Sequence, residues 1–216
     1  LRLRLGNADA IDAYIDHDRV AGGEHDEMLD TAYQAWSRDL RAGRTSVLIA
    51  ETIETVTGLN ERARSDRILA GLVADGGVRL HDGTRAATGD VVITRRNDRR
   101  LALGRGWVKN NDRWIVADTH DDGSLTVRRE RSRWRSTITL PAGYAAEHVD
   151  LGYAITAHRA QGVTTDTAHV IASATTTREN FYVAMTRGSD TNRTYLATDR
   201  PDAAHDDPSS DATGRS

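Results

Sequence analysis

The sequence predicts an α/β domain that is interrupted by an all-β insertion. Ser46–Ala50 forms an apolar run typical of a buried strand, and a helical pattern follows from Thr52 to about Gly71. A strand followed by a helix is the repeating unit of an α/β layer. From about Val78 short alternating runs with turn residues replace this pattern, and the α/β pattern resumes at Tyr153.

Two helices are predicted ahead of the first strand. Apolar residues recur at helical spacing at positions 10, 11, 14 and 15, and Gly22-Gly23 ends that pattern. The second helix ends at Gly43. Its apolar face comprises Met28, Leu29, Ala32, Tyr33, Trp36 and Leu40.

The insertion is predicted from strand-like runs of alternating character. They are Val91–Arg95, Trp114–Ala117, Ser124–Arg128 and Ser136–Leu140. Asp121-Asp122-Gly123 lies between two of these runs and is a strong hairpin signal. Pro141 marks the exit from the insertion, which we expect to be a small β-barrel or meander.

The chain then returns to strands and helices. Tyr153–Thr156 and Ala168–Ala172 are predicted strands, and Arg193–Thr198 is the last one. Thr176–Glu179 has the T-x-x-E form of a capping box and predicts the start of a helix that Gly188 ends.

These patterns predict four regions. A helical lead-in covers residues 1–45, the α/β lobe covers 46–90 and 149–199, and the β-barrel insertion covers 91–148. Residues 200–216 are rich in Asp, Ser, Ala and Pro and have little to bury, which predicts a disordered tail.

Composition restricts the possible functions. The 216 residues carry a net charge of −3, so any nucleic-acid contact must come from a local basic patch. Lys109 is the only lysine and is not part of a G-x-x-x-x-G-K-[ST] sequence, so the chain has no P-loop and should not hydrolyse ATP alone.

The absence of cysteine predicts a reducing cytoplasm. No run is long enough to span a membrane, and no signal peptide is visible. The chain begins at Leu1 rather than Met, which predicts a fragment of a longer polypeptide.

Two segments carry the most specific information. Thr156, His158, Gln161 and Gly162 follow a predicted strand, where a hydroxyl, an imidazole and a flexible turn can meet phosphate groups. Considered one at a time, these residues are better explained as part of an ordinary polar turn. The second segment, Tyr182–Gly188, places Arg187 near a helix C-terminus, where a cation is also favourable without any catalytic role.

Taken together, the two segments resemble adjacent motifs of superfamily-one DNA helicases of the RecD type. The first resembles T-x-H-K-x-Q-G, with Arg159 in place of lysine, and the second resembles Y-V-A-x-T-R-G/A. The resemblance implies that Thr156 and His158 bind single-stranded DNA and that Gln161 and Gly162 sense nucleotide. Arg187 is then the arginine finger.

Weaker matches extend the resemblance over about Ser46 to Thr198. Gly89–Asp98 resembles the segment that leads into the insertion of these helicases, and Val108–Asp112 resembles their x-x-N-G-D, with Asn111 where glycine is usual. Asparagine tolerates the same left-handed turn. Thr52, Arg95 and Asn97 are the further DNA-binding candidates that the resemblance implies; as turn residues they also have ordinary explanations.

The resemblance is greatest to conjugative relaxase-helicases of the TraA/TrwC type. It implies a second RecA-like lobe that works with a first RecA-like lobe of the same polypeptide, which binds most of the ATP and Mg²⁺. The implied protein nicks plasmid DNA and unwinds it in the 5′-to-3′ direction. A RecD-like exonuclease subunit, a stand-alone helicase and a non-catalytic DNA-binding module remain alternatives. No histidine spacing indicates a metal site.

Overall fold

The computed structural model describes residues 20–104, 106–130 and 136–198. The predicted first helix and the predicted tail lie outside these ranges. In the first part of the chain the elements are β1 (Val20–Gly23), α1 (His25–Arg41), β2 (Ser46–Ala50), α2 (Ile53–Leu69), β3 (Val78–Arg79) and β4 (Arg85–Ala86). The antiparallel part contains β5 (Val91–Thr94), β6 (Asp98–Leu103), β7 (Gly106–Val108), β8 (Arg113–Thr119), β9 (Leu125–Arg129), β10 (Thr137–Leu140), α3 (Ala142–His148) and β11 (Val149–Leu151). The last part contains β12 (Ala154–Thr156), α4 (Ala157–Ala160), β13 (Thr165–Ser173), α5 (Arg178–Ala184) and β14 (Gly188–Ala197).

A five-stranded parallel sheet forms the centre of the α/β lobe. Its order is β1-β14-β13-β2-β12, and the neighbouring strands pair in parallel throughout. Side chains alternate between the two faces, so Leu48 packs toward α1 and α2 while Val47 and Ile49 pack toward α4 and α5. Helices therefore cover both faces, as the α/β prediction requires.

The helical lead-in prediction is wrong at β1. Val20–Gly23 pairs in parallel with β14 and forms one edge of the sheet. Helix α1 then packs its buried face, which includes Met28, Tyr33 and Trp36, against the same sheet. This segment is therefore part of the α/β lobe.

The insertion is an antiparallel sheet with the order β10-β9-β8-β5-β11, accompanied by the two-stranded ribbons β3-β4 and β6-β7. The β8-β9 hairpin turns at Asp121-Asp122-Gly123, as predicted. The hydrogen-bonded order leaves β10 and β11 at opposite edges, so within the described residues the strands form an open sheet. Of the two predicted forms, a barrel or a meander, the consecutive neighbours β8, β9 and β10 match the meander. Strand β11 pairs with β5, which extends the insertion to Leu151, beyond the predicted boundary at 148.

A buried carboxylate joins the insertion to the lobe. Asp90 is fully buried, and its Oδ1 accepts a hydrogen bond from the Tyr153 hydroxyl at 2.6 Å. Its Oδ2 accepts from Arg64 Nε at 3.0 Å and from the Ala87 amide at 2.8 Å. Because these partners belong to α2, the approach to β5 and the approach to β12, one side chain fixes three segments at the junction.

Gly89 explains the other half of that Gly-Asp pair. Its φ is +96°, and a Cβ there would lie 2.3 Å from the carbonyl oxygen of Leu72. Only glycine fits this backbone without displacing the chain. The pair is therefore a structural feature of the junction.

A second buried network lies between α1 and the parallel sheet. His169 Nε2 lies 3.0 Å from Asp39 Oδ2, and its Nδ1 lies 3.0 Å from the Tyr195 hydroxyl. Burial lowers the pKa of His169, against the opposing effects of the hydrogen bond and charge of Asp39. The folded protein therefore holds this imidazole in its neutral form.

This pKa shift predicts a loss of stability in acid. Below the unfolded-state pKa of about 6.5 the unfolded chain binds a proton that the folded chain resists, so stability falls as pH falls through that value. The expected loss is up to about 1.4 kcal/mol per pH unit down to the folded-state pKa. Urea unfolding of the chain and of His169→Gln at pH 7.5 and 5.5 should show a smaller difference in the variant. His120→Gln, at an exposed hairpin position, is the matched control, and equal pH dependence in all three proteins would contradict the assignment.

Candidate nucleic-acid and nucleotide interface

The carboxyl edge of the parallel sheet holds the first group of predicted residues. Ala50 and Thr156 are the paired last residues of β2 and β12. Thr52 is the N-cap of α2 and accepts a hydrogen bond from the Thr55 amide, while Thr156 is the N-cap of α4 and accepts from the Arg159 amide. Both threonines therefore stand where ligands of open α/β sheets bind.

His158 lies beside Thr156 and is exposed. It lines a cleft of about 430 Å³ between α4 and the insertion, together with Arg95, Arg159 and Gln161. Asn110 and Asn111 of the β7–β8 turn also line this cleft. The structure thus brings His158 and Arg95 to one cleft, although they are 63 positions apart in the chain.

One carboxylate organises the basic side chains of this region. Asp150 bonds to Arg159 Nη1, and it lies 3.5 Å from Arg95 Nε and 3.3 Å from His81 Nδ1. Its own side chain is only 7% exposed, so these groups share a nearly buried negative charge. Two guanidinium groups on one carboxylate leave a positive balance, which suits an anionic ligand. Sequence reasoning missed Asp150 because a single aspartate in a short strand gives no motif.

Asn97 has a structural role. Its side-chain oxygen accepts a hydrogen bond of 2.9 Å from the Asn110 amide, and so it holds the β7–β8 turn. Asn111 adopts φ 65°, which confirms that asparagine takes the left-handed conformation here. Its Nδ2 donates to the carbonyl oxygen of Gln161 at 3.1 Å. The insertion therefore touches the Gln161-Gly162 turn directly.

Two tryptophans of the insertion lie in different environments. Trp114 is fully buried in the core, with Arg129 against its ring, and is not available to a base. Trp107 is half-buried and is approached by Arg99 and Lys109.

Arg187 lies at the amino edge of the parallel sheet, where the strands begin, whereas Thr52 and Thr156 lie at its carboxyl edge. It directly precedes Gly188, the first residue of β14, which pairs with Thr165, the first residue of β13. Its Nη1 donates to the carbonyl oxygens of Ala160 at 3.2 Å and Val163 at 3.4 Å. These two carbonyls flank Gln161-Gly162. The structure therefore brings together the three residues predicted to contact nucleotide.

The Arg187 guanidinium turns toward carbonyl groups of its own lobe, whereas the predicted arginine finger would reach outward to a nucleotide. Its Nη2 donates to the Thr186 hydroxyl at 2.6 Å, and its Nε is buried without a hydrogen-bond partner among the described residues. Burial lowers the pKa of Arg187. The reason for this conformation is that a half-buried guanidinium must satisfy its donors, and the nearest acceptors are carbonyls of its own lobe.

The capping prediction for α5 is wrong by one residue. Thr177 is the N-cap and accepts a hydrogen bond from the Asn180 amide, whereas the Thr176 hydroxyl accepts from the Ser173 amide.

None of the helices in the described residues is long and apolar enough to cross a membrane. Residues 20–104, 106–130 and 136–198 also contain no group of three or more His, Asp or Glu side chains that could hold a metal ion.

The parallel sheet with helices on both faces and an antiparallel insertion confirms the predicted fold class, a mixed α/β domain. No protein-family model matches the chain. The chain is 30% identical over 191 residues to the conjugal transfer protein TraA of Agrobacterium fabrum, a match that covers 87% of this chain and 17% of that protein. It is 31% identical over 191 residues to the probable conjugal transfer protein TraA of Sinorhizobium fredii, with the same coverage of 87% and 17%. This similarity confirms the predicted resemblance to conjugal transfer proteins of the TraA type.

The chain spans less than a fifth of the length of these relatives. Among solved structures, it is similar to the Pif1 helicase from Bacteroides in complex with ADP-AlF3 and single-stranded DNA. That match has 18% identity and a TM-score of 0.46, and it covers 84% of this chain and 51% of the other.

Proposed function

We propose that this chain is a motor lobe of an ATP-dependent DNA helicase within a longer conjugal transfer protein. Single-stranded DNA runs along the carboxyl edge of the parallel sheet, against Thr52, Thr156 and His158. Nucleotide is sensed at the opposite edge, by Gln161, Gly162 and Arg187. The observation that carries the proposal is this division into two groups, joined by the single turn of α4.

Most of the nucleotide site belongs to another lobe in this proposal. The chain has no P-loop, and the described residues bring no carboxylate cluster together for Mg²⁺. ATP hydrolysis supplies the free energy, while this chain contributes one guanidinium and the backbone of the Gln161-Gly162 turn. The longer protein then unwinds DNA in the 5′-to-3′ direction, after a relaxase domain has nicked it.

A RecD-like exonuclease subunit or a stand-alone helicase uses the same two edges. A different class, a non-catalytic DNA-binding module, is favoured by one observation. Arg187 is bonded to carbonyls of its own lobe, as a purely structural arginine is. Both classes bind single-stranded DNA at the same cleft, and they differ in whether Arg187 acts on nucleotide.

Single-strand binding by the purified chain tests the DNA half of the proposal. We expect His158→Ala to weaken binding of a 15-nucleotide single strand by about twofold to tenfold, because one exposed hydrogen bond to phosphate is lost. Fluorescence anisotropy at two salt concentrations measures the affinity and its salt dependence, which should be steep if phosphate contacts dominate.

His120→Ala is the matched control, since His120 is also exposed but lies at the tip of the β8-β9 hairpin. Its affinity should equal that of the unmodified chain. Absence of binding by the unmodified chain would overturn the DNA assignment as a whole. Equal affinities of the two histidine variants would remove His158 from the interface.

A further inference from the structure

Ile53 is an exposed aliphatic side chain that lines a second cleft, next to the proposed DNA contacts Thr156 and His158. It lies in the first turn of α2, directly after the N-cap Thr52, and is 75% exposed. The other large exposed apolar side chains of the described residues, Leu69 and Leu72, lie at and beyond the far end of that helix. Helix packing therefore does not account for Ile53.

The cleft beside Ile53 is lined by chemically different groups from two elements. It measures about 360 Å³ and extends from α2 to the turn of α4. Helix α2 contributes the apolar side chains of Ile53 and the half-buried Val56, next to polar residues of the same helix. The end of β12 and the α4 turn contribute hydroxyl, imidazole and guanidinium groups from Thr156, His158 and Arg159.

Acidic groups in this cleft are already engaged. Asp150 is shared among Arg159, Arg95 and His81, and Asp82 accepts hydrogen bonds from the amide and hydroxyl of Thr84 in its own turn. The two carboxylates and the two guanidinium groups of the lining balance in charge, and the Thr156 hydroxyl and the His158 ring beside them offer further polar groups to an anion. A cleft lined by both polar and apolar groups matches a nucleotide unit, which has a phosphate and a flat base.

We propose that Ile53 contacts a base of the bound single strand while Thr156 and His158 bind the adjacent phosphates. The proposal rests on the DNA-binding function proposed above and adds a base contact to it. Because the contact is apolar, it does not depend on base identity. Ile53 then limits how the strand rotates in the cleft, since the phosphate contacts alone leave the base free.

Two oligonucleotides separate a base contact from a phosphate contact. One is a 15-nucleotide deoxythymidine strand, and the other has the same backbone with abasic sites throughout. Ile53→Ser should weaken binding of the first by about threefold to tenfold, the order expected when one base contact is lost, and leave binding of the second unchanged. Ile53→Trp should tighten binding of the first alone.

Leu69→Ser is the matched control, because it removes an even more exposed aliphatic group from the other end of α2. It should leave both affinities unchanged. Equal losses on the two oligonucleotides with Ile53→Ser, or a loss with Leu69→Ser of the same size, would overturn the base contact while leaving the DNA-binding function in place. Failure of the unmodified chain to bind either oligonucleotide would overturn the proposed function itself.

Discussion

Asp90→Ala is expected to lower the free energy of unfolding by about 3–5 kcal/mol, the cost of breaking a buried ion pair on one side. The substitution leaves the Arg64 guanidinium, which is 16% exposed, without its carboxylate. It also leaves the Tyr153 hydroxyl and the Ala87 amide without an acceptor in a fully buried site. Urea unfolding, followed by circular dichroism, measures the change.

Asp121→Ala is the control for the Asp90 prediction, because Asp121 is exposed at the hairpin tip and its loss should cost no more than about 0.5 kcal/mol. A double-mutant cycle with Tyr153→Phe tests the network directly, since residues in contact should show a coupling energy of at least about 0.5 kcal/mol. A cost at Asp90 no larger than at Asp121, or additive effects with Tyr153→Phe, would show that the junction does not depend on this carboxylate.

Most of the fold was predictable because its elements carry local patterns. Strand β2 is a continuous apolar run, and the β8-β9 hairpin is marked by its turn residues. Strand β1 was missed because Val20-Ala-Gly-Gly23 has no strand pattern of its own and its partner β14 lies more than 160 positions away. Strand β6 was missed because arginines interrupt its alternation. Both elements depend on tertiary pairing, which a local pattern cannot reveal.

The residues of the candidate site could be predicted from the sequence, but the orientation of their side chains could not. The resemblance to helicase motifs implied that Arg187 acts together with Gln161 and Gly162, and the structure does bring these residues together. The sequence motifs could not show that the Arg187 guanidinium turns toward its own lobe, because this orientation depends on which carbonyls lie within reach. The contact from Asn111 to Gln161 was also hidden, since it joins positions 50 residues apart.

The α4 turn is the mechanical connection between the two edges in the proposed motor. Thr156 caps its start at the carboxyl edge, and the Gln161-Gly162 turn follows its end. Arg187 holds the carbonyls on either side of that turn, and Asn111 holds the Gln161 carbonyl from the insertion. A change in the position of Arg187 therefore acts on a segment that begins at the proposed DNA contacts.

Arg187→Ala is expected to lower DNA-stimulated ATP hydrolysis by about 10³-fold or more, within the longer protein that carries a P-loop lobe. An arginine finger stabilises the charge of the transferring phosphoryl group, and loss of such a group costs about 10³–10⁵ in kcat. To reach nucleotide, the guanidinium must give up its bonds to Ala160, Val163 and Thr186. These partners are neutral, and Nε has no partner within the described part of the chain, so that release costs less than breaking an ion pair. Steady-state kinetics at saturating single-stranded DNA measure kcat.

Three measurements distinguish an arginine finger from an arginine that only holds the Gln161-Gly162 turn in place, which we call a clamp. A finger predicts that Arg187→Ala keeps its affinity for single-stranded DNA and that added guanidinium ion restores part of the ATP hydrolysis. A clamp predicts weaker DNA binding, a lower melting temperature and no rescue, because the carbonyls of Ala160 and Val163 lose their donor. Arg178→Ala removes an exposed arginine from the other end of α5 and should change none of these quantities. Near-normal hydrolysis by Arg187→Ala would leave the chain as a DNA-binding module, with Arg187 as a structural residue.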